Sequence, residues 1–215
     1  MTPDLFNEPW RLPLVDAEVV YHPAPDLGIS ADELHAQLKD ELVWEQHFVR
    51  IEGKTIPQPR LSSWYGEVVH TYSTLAHALK PYPFTPLLEK LKNRIEAICN
   101  ARFNSMLANL YRNGSDSIGW HSDKEPELGI DPVIASLSFG AERRFDLRRK
   151  DDHAKTARIV LQHGSLLIMG GGTQQYWQHG IARTTGVVEE RINLTFRRTT
   201  PGRRTSKPYL QQPPS

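Results

Sequence analysis

The sequence has a single cysteine, Cys99, so it can form no intramolecular disulfide and cannot assemble a thiolate zinc site from its own thiols. It lacks a run of the about 18 apolar residues that a membrane span needs, and its first residues hold no basic stretch followed by an apolar one. Neither sign of charge is in excess: 26 Lys and Arg stand against 25 Asp and Glu, so any basic surface must be local. No Gly-Lys-Ser/Thr follows Gly170-Gly171-Gly172, which excludes a phosphate loop and leaves an ordinary loop. These absences lead to the expectation of a cytoplasmic protein, nuclear as well in a eukaryote, with no membrane association; a monomer is expected. In that setting the Asn113 and Asn193 glycosylation strings are chance matches.

What is present describes a globular chain. With 215 residues, 39% of them hydrophobic, and five Trp, the sequence can bury a core of one ordinary domain and is no disordered polyelectrolyte. Residues 1–29 read as an N-terminal arm packed on the domain, 30–200 as the domain, and 201–215, with Arg203, Arg204 and Lys207, as a disordered basic tail. Ser30 with Glu33 three residues on forms a capping box, and Leu34, Leu38 and Leu42 then recur every four residues. Thr85 and Pro86 start a second helix whose apolar face holds Leu87, Leu88, Leu91, Ile95 and Ile98 and which ends near Asn100. Cys99, beside that face, reads as a small buried hydrophobe. From Phe103 onward the texture is β-rich, with strands expected over 107–112, 133–139, 144–149, 157–161, 165–169 and 191–197.

The chemistry-bearing stretch is Gly119-Trp120-His121-Ser122-Asp123. In a strand, residues two apart share a face, so His121 and Asp123 can present a nitrogen and an oxygen to one ion. Trp177-Gln178-His179-Gly180 offers a third ligand in His179. Two His and one carboxylate form a facial triad that leaves coordination positions open and suits ferrous iron. H-x-D alone is a common chance string. In Arg191-Ile192-Asn193-Leu194-Thr195-Phe196-Arg197, apolar and polar residues alternate. The polar face either meets solvent or places two guanidiniums inside a barrel, where they would bind a dicarboxylate.

Asn109-Leu110-Tyr111, His121-x-Asp123, His179 and Arg191-x-Asn193-x-Thr195-x-Arg197, in this order and at these intervals, resemble the AlkB family of iron- and 2-oxoglutarate-dependent nucleic-acid demethylases. The resemblance covers residues 45–200. Gln58-Pro59-Arg60-Leu61, Trp64-Tyr65-Gly66, the stretch 135–140 and His163-Gly164-Ser165 are similar to the animal branch associated with single-stranded DNA and RNA. The resemblance implies an α+β fold: a double-stranded β-helix (jelly-roll) core with buttressing N-terminal helices. It implies Fe(2+) held by His121, Asp123 and His179, with O2 as co-substrate. For 2-oxoglutarate it implies Arg191 and Tyr111 on the distal carboxylate, Arg197 and Asn109 at the chelating end, and Asn193 and Thr195 lining the pocket. The implied reaction is oxidative demethylation of N1-methyladenine and N3-methylcytosine in DNA and RNA, releasing formaldehyde, succinate and CO2.

The resemblance also bears on the substrate. Tyr72 matches the position that stacks on the flipped base opposite His121, and Glu125 the acidic contact to a methylated base. Both lesions are cationic, so a carboxylate favours them. Trp64 and Tyr65 are candidates for the same pocket or for packing. Lys124 stands where many animal relatives carry a second acid. Arg143, Arg144, Arg148, Arg149, Lys150, Lys155 and Arg158 form either a solvated face or a set of phosphate contacts. His163 reads as a turn or packing residue. At the Gly53-Lys54 turn, Glu52 occupies the place where a duplex-specific relative puts an aromatic wedge, so single strands are the expected partner. Two rivals are the same iron chemistry on a protein or small molecule, and a non-catalytic nucleic-acid-binding relic. Tyr72, Glu125 and the basic run argue against the first, and the complete ligand and arginine set against the second.

Overall fold

The computed structural model describes residues 8–67 and 79–200; Tyr72 and the expected tail lie outside them. Helix α1 (Ala31–Glu41) begins where the Ser30 hydroxyl accepts the Glu33 amide at 3.2 Å. The Glu33 carboxylate does not complete the expected box but accepts from Gln37 Nε2 at 3.1 Å. Helix α2 (Pro86–Cys99) begins at Thr85, whose hydroxyl accepts the Leu88 amide, and stops on Asn100, which takes the left-handed conformation at φ 47°. A four-residue helix, α3 (Thr173–Tyr176), follows the glycine run. Among the described residues no helix is long and apolar enough to cross a membrane.

The strands are, in chain order, β1 (Trp10–Arg11), β2 (Glu18–His22), β3 (Phe48–Ile51), β4 (Lys54–Pro57), β5 (Leu61–Gly66), β6 (Ser105–Tyr111) and β7 (Ile118–His121). They continue with β8 (Ile134–Gly140), β9 (Arg143–Arg149), β10 (Thr156–Leu161), β11 (Ser165–Gly170), β12 (Trp177–Ile181) and β13 (Arg191–Arg197). A major sheet runs β1-β2-β11-β8-β13-β6-β5, a minor sheet runs β10-β9-β12-β7, and β3 and β4 form a separate hairpin. The pairings are antiparallel, as a jelly roll requires. The N-terminal arm is knitted into this frame: β2 pairs with β11 and carries β1 at the edge.

Packing follows from which face of the major sheet each apolar set occupies. Leu34, Leu38, Leu88, Leu91 and Ile95 from the helices meet Ile192, Leu194 and Phe196 of β13 on one side. On the other side Ile134, Leu167 and Met169 meet Phe145, Leu147 and Ile159 of the minor sheet. Strand β13 lies between β8 and β6, and all seven of its residues are buried. Its polar face is therefore interior, and the solvent-facing alternative is excluded.

The expected strands differ from the observed ones by at most two residues at an end, and 191–197 coincides with β13. Strands β5, β7 and β12 carry no clean alternation, since Ser62-Ser63, Gly119 and Gly180 interrupt it, and only pairing with neighbours defines them. Cys99 is half-buried, with burial pushing its thiol up to about 12, which fits a packing residue.

Glu96 ties the end of α2 to the sheet. Its carboxylate is 8% exposed and accepts the Phe103 amide at 2.7 Å and Arg102 Nη1 at 2.8 Å. Burial alone would raise this carboxyl, but the Phe103 amide and the Arg102 guanidinium outweigh it, so the net direction is below the usual 4.5. A depressed folded value stabilises the protein above the unfolded value and is lost as pH falls through the folded one. Glu96→Gln is expected to cost about 1–3 kcal/mol at neutral pH, because the Phe103 amide and the partner guanidinium lose an ionised acceptor. Urea midpoints measured for both proteins should converge as the solution is acidified through the carboxylate range.

Candidate metal centre and co-substrate cavity

Between the two sheets lies a cavity of about 460 Å³. Strand alternation aims Arg191, Asn193, Thr195 and Arg197 into it, and the register of β13 on β6 sets Arg191 opposite Tyr111 and Asn193 opposite Asn109. Two separate segments of sequence thus become one wall. His121 and His179 are cross-strand partners at the β7–β12 pairing, with ring centroids 4.3 Å apart. One ligand atom from each of His121, Asp123 and His179 lies within 4.8 Å of the others.

Each ligand is held by neighbours. A carbonyl can only accept, so the 2.9 Å contact of His121 Nδ1 with the Gly119 oxygen puts the proton on Nδ1 and leaves Nε2 as the free lone pair. His179 lies against Phe145, ring centroids 5.2 Å apart and nearly parallel. Asp123 is not a strand residue: β7 ends at His121. It reaches the same point because the Asp123 amide donates to Gln174 Oε1 at 2.9 Å and its Oδ2 accepts Arg197 Nη2 at 3.1 Å. Strand alternation alone therefore does not account for the position of Asp123. Its strand has already stopped, and buried side chains from α3 and β13 position the carboxylate.

The electrostatics favour a metal-ready state. Burial, and then the neighbouring His121, lower His179 to about 3, and burial likewise lowers His121 from its usual value, so both shifts favour the neutral ring that a metal requires. Burial alone would raise the Asp123 carboxyl, but Arg197, His121 and His179 together hold it below its usual range. Two neutral imidazoles and one carboxylate form the donor set of a facial triad.

Deeper in the cavity Arg191 is 1% exposed, and Tyr111 is packed 5.0 Å from its guanidinium. Its Nη2 donates to Ser138 Oγ at 2.9 Å, while Nε and Nη1 have no partner. Burial draws this guanidinium down to about 10, with Tyr111 acting in the opposite direction. A buried cation with two unfilled donors is fitted to an anion with two oxygens. Asn193 donates to Ser136 Oγ and to the Leu137 carbonyl, and Thr195 donates to Asn193 Oδ1. Asn109 Oδ1 accepts Arg60 Nε at 2.8 Å, which turns the Asn109 amide nitrogen away from Arg60.

The base-contact candidates divide. Glu125 lines the cavity with a buried, unpartnered Oε2, and burial followed by the charge of Asp123 raises it. Tyr65 lies on the other face of the sheet: its hydroxyl accepts the Val43 amide, and its ring packs on Tyr82 in the helix-side core. This corrects its candidacy for the substrate pocket, since odd and even residues of β5 face opposite ways. Trp64 is 1% exposed and packs with Leu79 and Leu107, which line the cavity while Trp64 itself does not. Tyr72 lies outside the described residues. His163 accepts the Gly140 amide at 2.8 Å, as a turn residue would. Sequence reasoning missed two supports, Arg60 and Gln174. Arg60 stood in a noticed string without a role, and Gln174 carries no local signal.

A jelly-roll barrel with this triad and a buried arginine beneath it has the architecture of an iron- and oxo-acid-dependent oxygenase, and the 2OG-Fe(II) oxygenase superfamily model matches residues 29–197. The chain is 46% identical over 180 residues to human alpha-ketoglutarate-dependent dioxygenase alkB homolog 3, covering 80% of this chain and 63% of that protein. It is 36% identical over 182 residues to human DNA oxidative demethylase ALKBH2, covering 79% of this chain and 69% of that one. The solved structure of OsALKBH1 shares the fold, with a TM-score of 0.57 at 18% identity over 84% of this chain and 96% of that chain. The chain belongs to the AlkB family of the 2OG-Fe(II) oxygenase superfamily. It spans about 63% of the length of the human alkB homolog 3 it matches.

Removing a ligand, as in His179→Ala, should abolish tight binding of a divalent ion, and Gln174→Leu should weaken it about 10- to 100-fold by releasing the Asp123 backbone. Titration of the metal-free protein with Mn(II), followed by electron paramagnetic resonance, measures both. Unchanged Mn(II) affinity in Gln174→Leu would show that Arg197 alone suffices to hold the carboxylate.

Proposed function

We propose that this protein is an Fe(II)- and 2-oxoglutarate-dependent dioxygenase that oxidatively removes methyl groups from alkylated bases, N1-methyladenine and N3-methylcytosine, in single-stranded DNA and RNA. The observation that carries the proposal is the pairing, in one cavity, of the His121–Asp123–His179 cluster with a buried Arg191 two of whose donors are unfilled.

When bound, iron and 2-oxoglutarate supply, with O2, the oxidising power that turns an N-methyl carbon into released formaldehyde and leaves succinate and CO2. The remaining work belongs to side chains. His121, Asp123 and His179 would hold the ion on one side. Arg191 would grip the distal carboxylate of the co-substrate through Nε and Nη1, helped by the Tyr111 hydroxyl. Arg197 and Asn109 would steady the other end, with Asn193 and Thr195 as wall. Glu125, an acid in the cavity whose Oε2 is buried and makes no hydrogen bond, favours a cationic methylated base over a neutral one. Tyr72 is the proposed stacking partner of that base.

Strand preference rests on the β3–β4 hairpin. Val49 and Ile51 line the cavity, and Glu52 and Gly53 make the turn with φ of 50° and 77°. A carboxylate at that tip cannot replace a base in the stack, so extruding a paired base would cost a few kcal/mol without compensation.

The defining assay is formaldehyde release, dependent on added iron and 2-oxoglutarate, from both lesions in single- and double-stranded DNA and RNA. Release is expected, fastest from single strands, and its absence from every methylated oligonucleotide overturns the proposal. Arg191→Lys keeps the charge but loses the planar fork, so the 2-oxoglutarate KM should rise at least about tenfold while Mn(II) binding persists. Glu52→Phe should narrow the gap between single strand and duplex. Equal turnover of both forms by the unmodified protein would end the wedge argument.

A further inference from the structure

The basic run over 143–158 is not a uniform charged face. Arg143 is buried and donates to the carbonyls of Asn113, Asp116 and Ala182. Arg149 pairs with Asp16 and Asp151, Lys155 with Asp152, and Lys150 donates to the Gln174 carbonyl. These four are spent on the fold. Arg144 and Arg158, both more than half exposed, share one carboxylate, Asp146. Arg148 forms no ion pair among the described residues: its Nε donates to Gln178 Oε1 at 3.0 Å, and its guanidinium sits 4.4 Å over the ring of Trp120.

Register places these groups together. Gln178 is the partner of Arg148, and Arg158 the partner of Asp146. Alternation then sets Arg144, Asp146, Arg148, Arg158 and Gln178 on the outer face of the minor sheet, opposite Phe145, Leu147 and His179. Trp120 stands at the edge of that face, on β7, next in sequence to His121, and it is 43% exposed. An indole left in water, stacked on a guanidinium with no carboxylate, adds little to the core. It does form a flat aromatic and cationic platform beside the cavity, continuous with two further exposed arginines that outnumber the acids on the face.

We propose that this outer face, from the Trp120–Arg148 stack across to Arg144 and Arg158, is the docking track for the nucleic-acid strand flanking the base held in the cavity. A neighbouring unstacked base would lie on the Trp120–Arg148 pair, and the arginines would take phosphates. Only a single strand offers free base faces to such a platform. The inference rests on the nucleic-acid reading given under Proposed function and extends it to the bases on either side of the lesion.

The test compares N3-methylcytosine in a trinucleotide with the same lesion in a single strand of about a dozen nucleotides. It is run alongside fluorescence anisotropy of an unmethylated strand of the longer length. Trp120→Ala is expected to raise the KM for the long strand about tenfold relative to its own KM for the trinucleotide, the scale of one lost base stack. Trp120→Phe should restore most of the difference. Arg148→Ala should weaken anisotropy-detected binding and make its salt dependence shallower by about one phosphate contact. Because both substrates are measured on one variant, partial misfolding lowers both and leaves the ratio unmoved. Equal loss on both lengths, or none, overturns the track. Failure of the unmodified protein to bind the long strand overturns it too. Binding that Trp120→Ala weakens, in a protein that demethylates nothing, leaves the track standing and removes the catalytic reading instead.

Discussion

Everything at the centre of this protein depends on two arginines that are almost wholly buried. Arg191 and Arg197 sit on the interior face of β13, 1% and 4% exposed, where an uncompensated charge costs several kcal/mol. Arg197 is offset within the protein by Asp123, itself buried, so the pair fixes the one carboxylate of the triad. Arg191 is only partly offset, by Ser138 and the Tyr111 ring. Arg197 organises the candidate ligand cluster, and Arg191 is left in need of an anion.

That arrangement requires a strand with two buried faces of opposite character. Ile192, Leu194 and Phe196 pack on the helices, so β13 cannot rotate or slip by one residue without driving two guanidiniums into that core. Its neighbours β6 and β8 are held to it along their length, and they bring Asn109, Tyr111, Ser136 and Ser138 to the same wall. Stability and site assembly are therefore one property here. The helices hold the apolar face in place, and the polar face becomes the cavity.

The periphery follows a different economy. Most of the cations in the 143–158 segment are consumed by nearby carboxylates or carbonyls and serve to hold β9, β12 and the N-terminal segment together. Exposed ion pairs of this kind contribute little each. What distinguishes the outer face is the small remainder, Arg148 on Trp120, which the fold does not neutralise.

The sequence by itself determined the periodic features: the capped helices with their leucine rows, the alternating 191–197 strand, and the His121, Asp123 and His179 ligand types, because each is written in local spacing or in a motif. It could not decide which way the polar face of 191–197 points, since alternation looks the same for a strand in solvent and a strand at the centre of a sheet; pairing with both β6 and β8 decided that. It could not reveal that Asp123 lies beyond its strand and is held by Gln174 across 51 positions, or that Tyr65 faces the helices while Arg60 orients Asn109. Nor could it separate spent arginines from free ones within a single basic run. Those outcomes depend on contacts between residues far apart in the chain, which only the tertiary structure brings together.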